Sequence, residues 1–139
     1  MTAPLLDTHA WLWWMDRSAQ LGSQTLSALD ALDAEHRPYL SDISLWEVAM
    51  LVDLGRIELD VPLETWLDTA AHPRCVRLVP ITPAVAAATA GLPATFHRDP
   101  ADRLIVATCR AMGLPIVTYD QRITRARLVK RWVPDAGRG

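Results

Sequence analysis

Four carboxylates stand at places in this chain where apolar residues are the rule. Asp7 follows Leu5 and Leu6 in "PLLDTHAWLWW". Glu47, in "ISLWEVAMLVD", is the only charged side chain between Ile43 and Val52. It shares a helical face with Ser44, Val48 and Leu51, which reads as a buried stripe. Asp120 ends "LPIVTYD", the clearest strand pattern in the sequence. In "HRDPADRLIVA", Asp99 precedes Pro100 and takes the N-cap position of a helix, four residues ahead of Arg103 and spaced for an ion pair with it. Asp102 lies one turn further in, on the side shared with Ile105, Val106 and Cys109, where a buried carboxylate calls for a cation.

Each acid also has a local structural reading. Glu47 fits a carboxylate neutralised by a core arginine, or an exposed edge position. Asp7 fits a cap of the tryptophan-rich helix, with Thr8 as the competing capper, and Asp120 fits a cap of the segment after it. Their convergence carries more weight, because two strand-end aspartates and two acids on buried helix faces would meet at one edge of a sheet. Clustered carboxylates repel, and some protonate unless a cation compensates. Ligands that are all oxygen favour Mg²⁺ or Mn²⁺ over zinc. The chemistry suited to that site is metal-assisted phosphodiester hydrolysis, which needs no protein nucleophile. No Ser, His and Asp set or reactive cysteine motif stands out beside it.

The elements that must position these acids are short apolar strands alternating with helices. Strands are expected at 4–7, 38–41, around 76–81 and at 114–120. Helices are expected at 8–16, 23–36, 43–55, 62–71, 82–91 and 99–113, with Gly55, Gly91 and Gly113 at three of their ends. The segment after Gln121 is ambiguous. This alternation implies an α/β fold with a parallel sheet covered on both faces, whose ligands bind beyond the carboxyl ends of the strands.

The chain has 139 residues, of which 50% are hydrophobic, enough for one domain over 1–139, with a 1–135 core and a short tail at 136–139. No apolar run is long enough to span a bilayer and no signal peptide is evident, so a soluble cytoplasmic protein is expected. Cys75 and Cys109 lack metal-type spacing, and no disulfide is expected. His9, His36, His72 and His97 likewise show no ligand spacing and read as surface or local hydrogen-bonding groups. Residues 121–139 carry +5 while residues 1–120 carry −7, so a basic tail follows an acidic body. Such a tail suits phosphates or an acidic partner as well as a solvated face. Trp11, Trp13 and Trp14 have the spacing of core or dimer packing, in preference to base stacking.

The blocks "LLDTHAWLWW", "SDISLWEVAMLVDLGRI", "VPITPAVAAA" and "HRDPADRLIVATCRAMGLPIVTYD" together resemble PIN-domain ribonucleases, and among them the VapC toxins of toxin–antitoxin pairs. The resemblance spans nearly the whole chain, least distinctly over 16–38 and after Gln121. It implies a three-layer α/β/α sandwich with a central parallel sheet of about five strands, and a Mg²⁺- or Mn²⁺-dependent endoribonuclease that blocks translation or growth by cleaving structured RNA such as tRNA or rRNA. The family's four acidic positions fall on Asp7, Glu47, Asp102 and Asp120, as catalytic and metal-holding residues. Thr8 and Thr118 fall where relatives carry hydroxyls beside the acids, and Asp99 falls next to the site as its structural support. A homodimer and a cognate VapB-like antitoxin are the implied partners. Arg98, Arg122, Arg125 and Arg127 are candidates to grip RNA phosphates, which the acids themselves repel. The sequence departs from the family at Ala101, where relatives carry a larger aromatic residue, and in its arginine-rich tail. The alternatives are a catalytically inert PIN-like module that binds antitoxin or RNA, and a receiver-type domain, which lacks here the acidic pair and late lysine it needs.

Overall fold

A computed structural model describes residues 2–134. The expected tail at 136–139, with Arg138, lies outside the described residues. Four strands, β1 (Leu5–Leu6), β2 (Tyr39–Ser41), β3 (Arg77–Val79) and β4 (Ile116–Val117), form one parallel sheet in the order β3-β2-β1-β4. About five strands were expected; the nearest thing to a fifth is an isolated parallel bridge from Ile116 to Arg131. The long strand expected at 114–120 is paired over only two residues, because the chain leaves the sheet at Thr118 to reach Asp120.

Seven helices cover the sheet: α1 (Thr8–Met15), α2 (Ser23–Asp30), α3 (Asp42–Asp53), α4 (Leu63–Ala70), α5 (Pro83–Ala90), α6 (Pro100–Met112) and α7 (Gln121–Ala126). The helix expected over 23–36 is broken in two. Asp33 accepts hydrogen bonds from the Glu35 and His36 amides and starts a separate 3₁₀ turn over Ala34–His36, a local bond that competes with helix continuation. The ambiguous segment after Gln121 begins with α7. Gly113 ends α6 in the left-handed region at φ +67°, a conformation glycine adopts without Cβ strain.

The two residues of β1 set the layers. Successive strand side chains point to opposite faces. Leu6 packs with Trp11, Leu40, Val48 and Ala70 on the face covered by α1, α3 and α4, while Leu5 packs with Ile105, Val106, Ile116 and Ile123 on the face covered by α6 and α7. The result is the expected three-layer sandwich. Ala101 is buried, so its small side chain lies within a filled interior.

Trp11 anchors the first face. Its ring is fully buried, it meets Trp66 edge-on at 4.9 Å, and its indole N–H donates to the Ala70 carbonyl at 3.0 Å. Trp11→Ala removes that volume and leaves a buried carbonyl unpaired, and is expected to cost about 3–5 kcal/mol in urea unfolding. A loss below about 1 kcal/mol would contradict this packing.

Candidate active site

Asp7 leaves β1 and caps α1 in one residue. Its amide donates to the Val117 carbonyl at 3.1 Å, so the pairing of β1 with β4 fixes where it sits. One carboxylate oxygen accepts from the Ala10 amide at 2.8 Å, and the other accepts from the Thr118 hydroxyl. Only 6% of the residue is exposed. Burial raises its pKa to about 6, against the opposing hydrogen bonds from Thr118 and Ala10 and the nearby His9.

Glu47 reaches the same place from α3, which starts directly after β2 and is capped by Ser41. Its Oε1 accepts from the Thr8 hydroxyl, and Thr8 Oγ1 lies 2.9 Å from Ser44 Oγ. All three residues are buried. Burial raises the Glu47 carboxyl above its usual range, with Thr8 pulling the other way and Asp99 adding to the rise.

Asp102 stands in the first turn of α6. Its amide donates to Asp99 Oδ1 at 3.0 Å, so Asp99 is the N-cap, as its place before Pro100 implies. The expected Asp99–Arg103 ion pair is not formed. The Arg103 guanidinium donates instead to the carbonyls of Phe96 and His97, in the loop before the helix, and to that of Thr89 in the last turn of α5. Burial, and then the charges of Asp99, Asp120, Glu47 and Asp7, push Asp102 up to about 7.

Asp120 caps α7, taking the Arg122 and Ile123 amides on Oδ1 at 2.8 and 3.2 Å and the Arg122 guanidinium on Oδ2 at 3.1 Å. Partial burial pushes its carboxyl up, but these three donors together hold it below the ordinary value. The same Arg122 nitrogen lies 3.8 Å from Asp102 Oδ2, so one guanidinium serves two of the acids.

Asp7, Thr8, Glu47, Asp102 and Asp120 line a single cleft of about 200 Å³ beyond the carboxyl ends of β1 and β4. Thr118 braces it from below and Asp99 braces Asp102. A larger pocket of about 590 Å³ has neither an acid nor a histidine in its lining, which runs from Cys109 and Gly113 to Lys130; the chemistry lies in the smaller cleft. Among the described residues no three acidic, histidine or cysteine side chains stand close enough together to hold a metal ion as they are placed. Cys75 and Cys109 are free thiols, and burial pushes Cys109 up to about 12.

The sequence did not place three further residues in the cleft lining, nor His97 beside it. His9, Trp13 and Tyr119 share the lining. His97 places Nε2 3.2 Å from Asp102 Oδ2, but off a hydrogen-bonding direction, so neither ring nitrogen has a partner; burial and the nearby Arg122 lower its pKa. Of the four candidate arginines, Arg98, Arg125 and Arg127 are exposed, whereas Arg122 is engaged by the acids.

The fold and cleft together define a class: an α/β domain in which carboxylates from four separate segments meet beyond the carboxyl ends of a parallel sheet. The chain belongs to the PIN domain family, which it matches over residues 5–128. It is 40% identical over 127 residues to ribonuclease VapC22 of Mycobacterium tuberculosis, covering 91% of this chain and 94% of that protein. Among solved structures it is similar to FitAcB from Neisseria gonorrhoeae, with a TM-score of 0.68, 26% identity and 94% and 96% of the two chains covered. It shares its fold with a toxin–antitoxin complex from Klebsiella pneumoniae, with a TM-score of 0.66, 17% identity and coverage of 95% and 98%. No described helix is long and apolar enough to cross a membrane.

The raised acids set a pH dependence. Asp7 and Asp102 keep protons in the folded chain that they give up near pH 4 when unfolded, so the folded state binds more protons between about pH 4 and pH 7. Their contribution therefore lowers stability as pH rises through that window. In EDTA at pH 8, Asp102→Asn is expected to stabilise the protein to urea by on the order of 1 kcal/mol or more. Destabilisation by that variant would show that Asp102 is compensated within the chain.

Proposed function

We propose that this protein is a divalent-metal-dependent endoribonuclease, the toxin of a toxin–antitoxin pair. The observation that carries this reading is the convergence of Asp7, Glu47, Asp102 and Asp120 in one cleft with two of them held at a pKa of about 6 and 7. The similarity to a ribonuclease of the VapC group supports it.

The residues present fit a hard divalent cation. The four acids offer carboxylate oxygens, His9 is the one imidazole in the lining beside them, no thiolate shares it, and the Arg122 guanidinium contacts Asp102 and Asp120. Asp7, Asp102 and Asp120 would hold Mg²⁺ or Mn²⁺, with Glu47 helping to hold the metal or the attacking water. When bound, such an ion lowers the pKa of the attacking water and neutralises charge on the phosphate. The chain's own side chains supply the orientation. Thr118 and the Ala10 amide fix both oxygens of Asp7, Thr8 fixes Glu47 with Ser44 behind it, and Asp99 fixes the turn that carries Asp102. Every carboxylate oxygen so held keeps a lone pair for a further partner.

RNA is the substrate in this reading. Arg98, Arg125 and Arg127, all exposed, attract its phosphates, Arg125 from a groove that it shares with Arg122, and Arg122 joins them when the acids are compensated by metal. A homodimer and a small VapB-like antitoxin that covers the acidic cleft complete the reading.

Asp7→Asn and Asp102→Asn keep the side-chain volume and remove the charge. Each is expected to lower Mg²⁺-dependent cleavage of total cellular RNA by about 10²-fold or more while the circular dichroism spectrum and melting transition stay cooperative. Folded variants that cleave as fast as the unaltered protein would refute the assignment. Unaltered protein that binds RNA and never cuts it would favour the inert module.

A further inference from the structure

The three tryptophans of α1 have three different roles. Trp11 is core, and Trp14 donates to Asp30 Oδ1 at 2.9 Å. Trp13, only half-buried, faces the cleft, which its spacing in the sequence did not suggest. Its ring lies 5.6 Å from that of Tyr119, tilted by 46°, and 6.0 Å from that of the exposed His9 one helical turn earlier. These three rings line the same cleft as the carboxylates. The wall is rigid before any ligand arrives: the Tyr119 hydroxyl donates to the Leu21 carbonyl at 2.5 Å and lies 3.0 Å from Thr25 Oγ1, while His9 and Trp13 are carried on α1.

An anionic cleft on its own repels a phosphate strand and has no use for aromatic faces. A nucleobase does, since every base offers a π-face and stacking on a fixed ring costs little ordering entropy. A base reaches such a wall only when it is unpaired and splayed from its neighbours. We propose that the His9, Trp13 and Tyr119 wall is a stacking platform for one unpaired base of RNA beside the phosphate that is cut. The strand then continues along the groove of about 340 Å³ lined by Phe96, His97, Arg122 and Arg125, which joins the cleft where His97 and Arg122 meet Asp102. This inference rests on the nuclease reading of the cleft and names the residues that receive the base next to the cut.

The test measures binding of three labelled probes of equal length, with Ca²⁺ replacing Mg²⁺: an oligouridylate, an oligomer of abasic ribose phosphate, and a blunt RNA duplex. The unaltered protein is expected to bind the oligouridylate about tenfold or more tighter than the abasic strand, and tighter than the duplex. Trp13→Leu is expected to abolish the preference for bases while leaving abasic binding unchanged; a merely structural role for Trp13 would weaken both alike. Tyr119→Leu, at a more exposed ring, reads the same ratio should Trp13→Leu fail to fold. Equal binding of base-bearing and abasic strands, duplex bound as tightly as single strand, or an unchanged ratio in the folded variants would overturn the proposal. Protein that cleaves RNA with Mg²⁺ yet treats the probes alike loses the platform and keeps the nuclease reading. Protein that prefers bases and never cleaves loses the nuclease reading and keeps the platform.

Discussion

Like charges held out of water must be compensated, and at the carboxyl edge of this sheet four carboxylates from four distant segments share one cleft. Protein donors compensate them unevenly. Asp120 has two amides and a guanidinium and stays easily ionised. Asp7 and Glu47 have hydroxyl or amide donors but no cation in contact, and burial prevails over the hydrogen bonds. Asp102, with the Arg122 guanidinium only at 3.8 Å and an imidazole that offers no aligned bond, is raised furthest of these acids. The cleft is therefore short of positive charge in proportion to burial, and the part of the fold nearest the cleft works to keep the acids together in spite of it.

The means are short-range. A two-residue β1 sends Leu5 and Leu6 into opposite faces and leaves Asp7 at the strand end, where a β4 carbonyl and a hydroxyl just past β4 hold its backbone and side chain. Asp7, Asp99 and Asp120 are all helix N-caps, so first-turn amides of three helices donate to these carboxylates, where partial positive charge favours them. Capping and cleft formation are thus the same contacts. At Asp7 and Asp120 a structural cap and a place in the cleft do not exclude each other, since each side chain caps a helix and lines the cleft.

Element identity was legible in the sequence wherever apolar periodicity and caps agreed. Thr82 with Pro83, and Asp99 with Pro100, mark the starts of α5 and α6, and Gly113 marks an end. Glu47 was visible because an isolated charge in an apolar stripe is costly. What escaped was decided across the chain. Asp33 broke a helix that its leucine spacing favoured, and Arg103 chose three carbonyls over a neighbouring aspartate. His97 gave no signal because its importance lies in a contact made through the loop before α6. Trp13 was indistinguishable from Trp11 by spacing, and only the position of Tyr119, over a hundred residues on, turns it into a wall of the cleft.

In the proposed function these carboxylates are gathered to hold a divalent cation. Crystals soaked in Mn²⁺ and measured near the manganese absorption edge test it directly. The expected result is an anomalous peak within bonding distance of oxygens from Asp7 and Asp102 or Asp120, about 2.0–2.2 Å away, with Arg122 withdrawn from Asp102. A cleft without such a peak at saturating Mn²⁺, with Arg122 still bridging Asp102 and Asp120, would contradict it.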